Sequence, residues 1–160
     1  MFKVSAASLA EYFSFDPERE RDLRLVDGAI RQSAPSLKRW FVGGAREGQL
    51  GMKMSLIGYG RFTYEVQASP VPIAWPIVGL ALQKNYMSLY CSAKRNDRSI
   101  VFEYQDRLGS ITVSKKGAIN FTAAQDFNMR GLSEMLQEIA AGLQTGAISV
   151  SYRRLAGSPS

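Results

Sequence analysis

Histidine is missing from the 160 residues, and cysteine occurs once. Without histidine there is no Ser–His–Asp triad, no Cys–His dyad and no imidazole metal ligand. One cysteine closes no disulfide within the chain and builds no thiolate zinc cage. Long apolar runs are also missing. The longest uncharged stretch, Val66 to Gln83, is interrupted by Pro70, Pro72 and Pro76 and keeps Gln67, Ser69 and Gln83. A membrane-spanning helix needs roughly 20 mainly apolar residues. The first residues, Met1 to Ser8, lack the apolar core of a signal peptide, so the expectation is a cytoplasmic protein without a membrane segment. There is no phosphate-cradling P-loop, no dinucleotide fingerprint and no nucleophile elbow. The glycine-rich Gly43-Gly44-Ala45-Arg46-Glu47-Gly48 does not lead into a helix.

What is present suits one globular domain of 17.7 kDa: 46% apolar and 21% charged residues. Twenty basic side chains stand against fourteen acidic ones. The excess is uneven. Residues 1–36 hold five basic and six acidic residues, which leaves fifteen and eight for the rest. A basic body favours anions: nucleic acid, phosphorylated metabolites or an acidic partner. It is equally the surface of an ordinary domain rich in lysine and arginine.

Periodicity gives the elements. A short helix is expected around Ser8 to Phe13. Asp16-Pro17-Glu18 then reads as the start of a longer one, capped by Asp16, with Leu23, Val26 and Ile30 as its apolar stripe and an end near Ala34, before Pro35. Leu37 to Val42, Met52 to Leu56 and Phe62 to Val66 read as strands, with Gly58-Tyr59-Gly60 as a tight turn between the last two. Trp75 to Gln83 is apolar enough for a central strand, and Lys84-Asn85 turns it into Tyr86 to Ala93. On that strand Met87, Leu89 and Cys91 share one face, with Tyr86, Ser88, Tyr90 and Ser92 on the other. A helix is expected over Ser99 to Leu108, bounded by Asn96-Asp97 and Gly109. Ile111 and Val113, then Ile119 to Phe121, form a hairpin around Ser114–Gly117. The last helix carries Met129, Leu132, Leu136, Ile139 and Leu143 after a capping region at Asp126–Asn128, and ends at Gly146. The sum is an α+β domain over residues 1–146: an antiparallel sheet covered on one face by N- and C-terminal helices, followed by a flexible tail over 147–160.

Four segments carry a resemblance: Ala34-Pro35-Ser36-Leu37-Lys38-Arg39-Trp40, Ile57-Gly58-Tyr59-Gly60, Leu80-Ala81-Leu82-Gln83-Lys84-Asn85-Tyr86-Met87-Ser88-Leu89-Tyr90 and Tyr104-Gln105-Asp106-Arg107-Leu108-Gly109. The chain resembles the YdhG-like domain family, a bacterial group mostly of unknown function, from about Leu9 to Leu143. That resemblance implies a compact α/β fold with an antiparallel sheet. A relative described as a frataxin-like iron chaperone further implies a role in iron–sulfur cluster assembly. Relatives carry Gly-Lys-Ser-Cys-Ile-Arg-Phe where this chain has Lys115-Lys116-Gly117-Ala118-Ile119-Asn120-Phe121, so Ala118 and Asn120 replace a cysteine and an arginine. Iron prefers carboxylate and imidazole ligands. The densest acidic run, Asp16, Glu18, Glu20, Asp22 and Asp27, is interleaved with Arg19, Arg21 and Arg24. Glu20–Arg24 and Glu18–Arg21 have helical pair spacing, which suggests a solvated, salt-bridged face, and no metal site or cofactor is expected.

The sharpest candidate site is Lys84, Tyr86 and Tyr90, with Lys116, Trp40, Tyr59 and Tyr64 as residues that could converge on it. Phenol hydroxyls in a groove beside a lysine would suit a small anion or an acidic protein partner. The plainer reading is sheet covering, since tyrosine favours strands. A second candidate is nucleic acid at Lys94-Arg95, Arg98, Lys115-Lys116 and Arg153-Arg154, although no helix carries a basic stripe. The expectation is therefore a non-enzymatic binding or accessory domain.

Overall fold

Ser8 begins the first helix. Its side chain accepts from the Glu11 N–H at 3.2 Å, and α1 runs over Leu9–Ser14. The computed structural model describes residues 2–44, 54–65 and 71–151. Asp16 does not cap α2. Its carboxylate accepts from the Glu18 N–H at 3.1 Å and pairs with Arg19 at 2.6 Å, closing a turn, so α2 starts later, at Glu20–Ser33. The stripe of Leu23, Val26 and Ile30 is fully buried.

The strands are β1 (Arg39–Val42), β2 (Leu56–Tyr64), β3 (Ile73–Leu82), β4 (Met87–Cys91), β5 (Ala93–Arg95), β6 (Arg98–Ser99), β7 (Thr112–Val113), β8 (Ile119–Phe121) and β9 (Ser149–Val150). The main sheet has six strands in the order β1-β2-β3-β4-β8-β7, and every neighbouring pair is antiparallel. A second sheet has the order β6-β5-β9. Helix α3 (Val101–Tyr104) continues into a 3-10 turn, and α4 spans Met129–Thr145. Asn128 caps α4 by accepting from the Gly131 N–H at 3.1 Å, and Gly146 ends it at φ +84°. Side chains of α1, α2 and α4 meet one face of the main sheet in a single apolar core. The architecture is α+β with an antiparallel sheet. Among the described residues no helix is long and apolar enough to cross a membrane.

Several local expectations are corrected. Gly58-Tyr59-Gly60 is no turn; it lies inside the continuous strand β2. The glycines serve packing: a Cβ on Gly58 would stand 2.8 Å from the Trp40 ring nitrogen, and Gly60 holds φ +73°. Met54 lies outside any strand, and Met52 is outside the described residues. Asn96 and Asp97 do not precede a helix. With φ of 51° and 62° they turn β5 into β6, and Ser99 belongs to that strand. Met129 is 38% exposed at the start of α4, while Met135 is fully buried in the core. The tail does not begin at residue 147: Ile148 packs against Gly142, and β9 pairs with β5. Residues 152–160, including Arg153-Arg154, lie outside the described residues.

Candidate functional site

The β3–β4 hairpin turns as the sequence suggests. The Gln83 N–H donates to the Tyr86 carbonyl at 2.8 Å, leaving Lys84 and Asn85 exposed at the tip. Arg19 donates to the same carbonyl at 2.9 Å while its Nε engages Asp16, which ties this hairpin to the start of α2. Along β4 the alternation is as read from sequence. Met87 and Leu89 are fully buried in the helix-covered core, and Cys91 packs against it. Burial of the thiol pushes the Cys91 pKa up to about 12, which keeps it protonated and inert at neutral pH.

The other face of β4 is polar. Tyr86 is 40% exposed. The Tyr90 hydroxyl accepts from Gln83 Nε2 at 2.9 Å, and burial raises its pKa above the ordinary tyrosine value. Ser88 donates to Asn120 Oδ1 at 2.6 Å across the β4–β8 pair. Gln83, Tyr90, Ser88 and Asn120 thus form a polar shelf. Beside it Val42, Leu56 and Ala81 make a small apolar cluster with Trp40, Met54 and Tyr90 around it. The sequence reading missed Gln83 and Asn120 as members. Their strand parity with Tyr90 and Ser88 was the available signal.

The remaining candidates do not converge. Trp40 shares this face, but its Nε1 donates to the Gly60 carbonyl at 2.8 Å, and Arg61 sits 4.0 Å above its ring. Tyr59 lies on the opposite face, fully buried, and donates to Asp27 at 2.6 Å. Its expected place in a groove is corrected: strand parity sends it under α2, and burial raises its pKa well above that of a free phenol. Tyr64 ends β2 in an edge contact with Trp75. Lys116 is at the far end of β4 from Lys84. The register pairs Met87 with Phe121 and Leu89 with Ile119, so the turn before β8 falls towards Cys91.

The acidic run is not one surface. Asp16 pairs with Arg19, and Glu20 with Arg24 at 2.8 Å. Asp22 accepts from the Ala124 N–H at 2.9 Å. Asp27, expected in a solvated face, is 5% exposed and holds Tyr59 and, at 2.9 Å, Arg39. Glu18 and Arg21 form no ion pair among the described residues. No group of three or more acidic or cysteine side chains among the described residues could hold a metal ion.

A basic corner lies elsewhere. Lys94 opposes Ser99 across β5–β6. Ser99 in turn packs against Gly117, where a Cβ would stand 3.0 Å from the serine oxygen. Gly117 closes the Lys115-Lys116 turn at φ +89°. Arg98 lies 4.9 Å over the Phe102 ring, whose edge also borders Gly117. Arg95 is engaged by Glu103 and Glu138 and is not available to a ligand.

Comparison with protein-family models, with curated proteins and with solved structures finds no match to this chain.

Proposed function

We propose that this chain is a non-enzymatic binding domain of the YdhG-like kind, taking a small anion beside Lys84 on the tyrosine side of the β3–β4 hairpin. The observation that carries the reading is the strand parity: Tyr86 and Tyr90 turn away from the helix-covered core, with the Tyr90 phenol held by Gln83. Lys84, exposed at the tip, brings a positive charge to that side. The resemblance supports the same region, because its longest shared segment is Leu80 to Tyr90. At position 120, where relatives carry arginine, the Asn120 amide joins the shelf through Ser88. A hydrolytic or transfer role draws no support from Cys91, whose thiol burial keeps protonated. Iron carriage draws none from the acidic run, four of whose five members, Asp16, Glu20, Asp22 and Asp27, are engaged by separate partners.

Titration with inorganic phosphate, followed by amide NMR, tests the reading. Saturable shifts are expected at Gln83 to Tyr90. The Tyr86→Phe, Tyr90→Phe double variant should fold and bind phosphate at least fivefold more weakly, the effect of about 1 kcal/mol or more from lost hydrogen bonds. Shifts confined to other segments, or a double variant that binds as well as the parent, would sink the proposal.

A further inference from the structure

We infer that the corner built by Lys94, Arg98, Lys115 and Lys116 is a second binding surface, distinct from the hairpin above, that tracks the phosphates of a single-stranded nucleic acid. Two hairpins distant in sequence are locked together there by the Ser99–Gly117 contact. Gly117 makes that approach possible, since it combines φ +89° with no side chain between the hairpins. Arg98, Lys115 and Lys116 are exposed and Lys94 is half-buried; the register sets Lys94 and Arg98 on opposite faces of the β5–β6 ribbon, so they flank it, and none of the four has a carboxylate partner among the described residues. The nearby acids do not cancel them equally. Glu103 and Glu138 are taken up by Arg95, and Asp97, exposed at the β5–β6 turn, is the one carboxylate of that turn.

An exposed cation by itself holds a small anion poorly, because water competes for it; the hairpin adds phenol and amide groups to Lys84, whereas this corner offers its cations without such a shelf. An extended polyanion is different: each contact releases condensed counterions, and the contacts act together. Among polyanions, nucleic acid is favoured by Arg98. Its guanidinium carbon stands 4.9 Å from the centre of the Phe102 ring, so a guanidinium plane and an aromatic ring are held together as a pair beside which a base can stack. An acidic peptide would use the charge and leave that plane idle. A duplex is not favoured, because the cations sit on short turns rather than on an element that could enter a groove.

The test is fluorescence anisotropy of a labelled fifteen-nucleotide oligothymidine between 25 and 200 mM NaCl, with the full chain. Four phosphate contacts should give a slope of log K against log salt of about −3. The Arg98→Gln, Lys115→Gln, Lys116→Gln variant should fall to a slope near about −1. Arg98→Lys should keep the slope and weaken binding several-fold, because charge is kept and stacking is lost. Asp97→Asn should tighten binding, while Tyr86→Phe, Tyr90→Phe should leave it unchanged. A triple variant that binds like the parent overturns the inference, as does a polyglutamate peptide that competes equally with the oligonucleotide. Losing the slope only on Arg153→Gln, Arg154→Gln also overturns it.

Discussion

The two faces of the main sheet are built from the same strands, yet they treat polar groups in opposite ways. On the helix-covered face, two fully buried hydroxyls are each committed to a partner on another element. Tyr12 of α1 accepts from the Leu82 N–H at 2.8 Å, and Tyr59 of β2 donates to Asp27 of α2 at 2.6 Å. Those bonds fix how the helices sit on the sheet. On the second face, Tyr90 and Ser88 bond to Gln83 and Asn120 of the hairpin and the adjacent strand. They hold the sheet to itself. No helix residue joins the apolar cluster there among the described residues. One face carries the larger core; on the other Ser88 is buried, Tyr90 half-buried and Tyr86 exposed, so its polar groups run from interior to solvent.

The comparison predicts its own largest effect. Leu136 is fully buried where α4 meets the sheet, so Leu136→Ala should lower unfolding free energy by about 2–5 kcal/mol. Chemical denaturation measures it. A loss below about 0.5 kcal/mol is the behaviour of an exposed site and would remove α4 from the core.

Next comes a matched pair. Tyr59→Phe removes the donor to a buried carboxylate, a charge-assisted bond worth about 1.5–3 kcal/mol. Tyr90→Phe releases a half-buried phenol whose partner, Gln83, can turn to water, and should cost less than about 1 kcal/mol. Equal losses in denaturant melts of the two variants would break the distinction between the faces.

A further effect lies at high pH. Burial first of all raises Cys91 and Tyr12 to about 12 each. In the unfolded chain these groups lose their protons at about 9 and 10. Stability is therefore full below pH 9 and falls as the pH rises towards 12, because only the unfolded state ionises in that window. Cys91→Ala should delay the onset from about pH 9 to about pH 10 in melts across the range. An unchanged onset would show that the thiol is accessible.

How far the sequence could be read follows from which constraints are local. The stripe in α2, the β3–β4 turn and the alternation on β4 were legible, because period and turn chemistry act over a few residues. Tyr59 was not. Gly-Tyr-Gly has the composition of a turn, and what keeps it in a strand is remote: Trp40 lying over Gly58 and Asp27 waiting for the phenol. Asn96-Asp97 suits a helix boundary by composition as well as a turn. Their positive φ angles, which suit a two-residue hairpin, are set by the β5–β6 pairing. The convergence of Lys116 with Lys84 failed for the same reason, since register, not spacing, places them at opposite ends of β4.

The smallest effect separates two carboxylates at the helix entrances. Hydrogen bonding from Arg19, above all, holds Asp16 below the usual value of 3.8. The Thr122 N–H, first among several groups, does the same for Asp126, which also accepts from the Thr122 hydroxyl and the Ala123 N–H. Both folded values are depressed, so each contributes stability above pH 4 that is lost as the pH falls through its folded value. Their causes differ, and salt should tell them apart. Asp16 works through an ion pair that also steadies the Tyr86 carbonyl by way of Arg19, on the hairpin side of the molecule. Asp126 is held by neutral donors in the loop before α4, on the core side. Raising NaCl from 0.05 to about 0.5 M shortens the screening length to roughly 4 Å. In a carboxyl-carbon NMR titration, Asp16 should then move up towards 3.8 while Asp126 stays where it was. Parallel movement of the two would mean that the hairpin side is held by the same neutral hydrogen bonding as the core side, and the contrast between them would fail at this point.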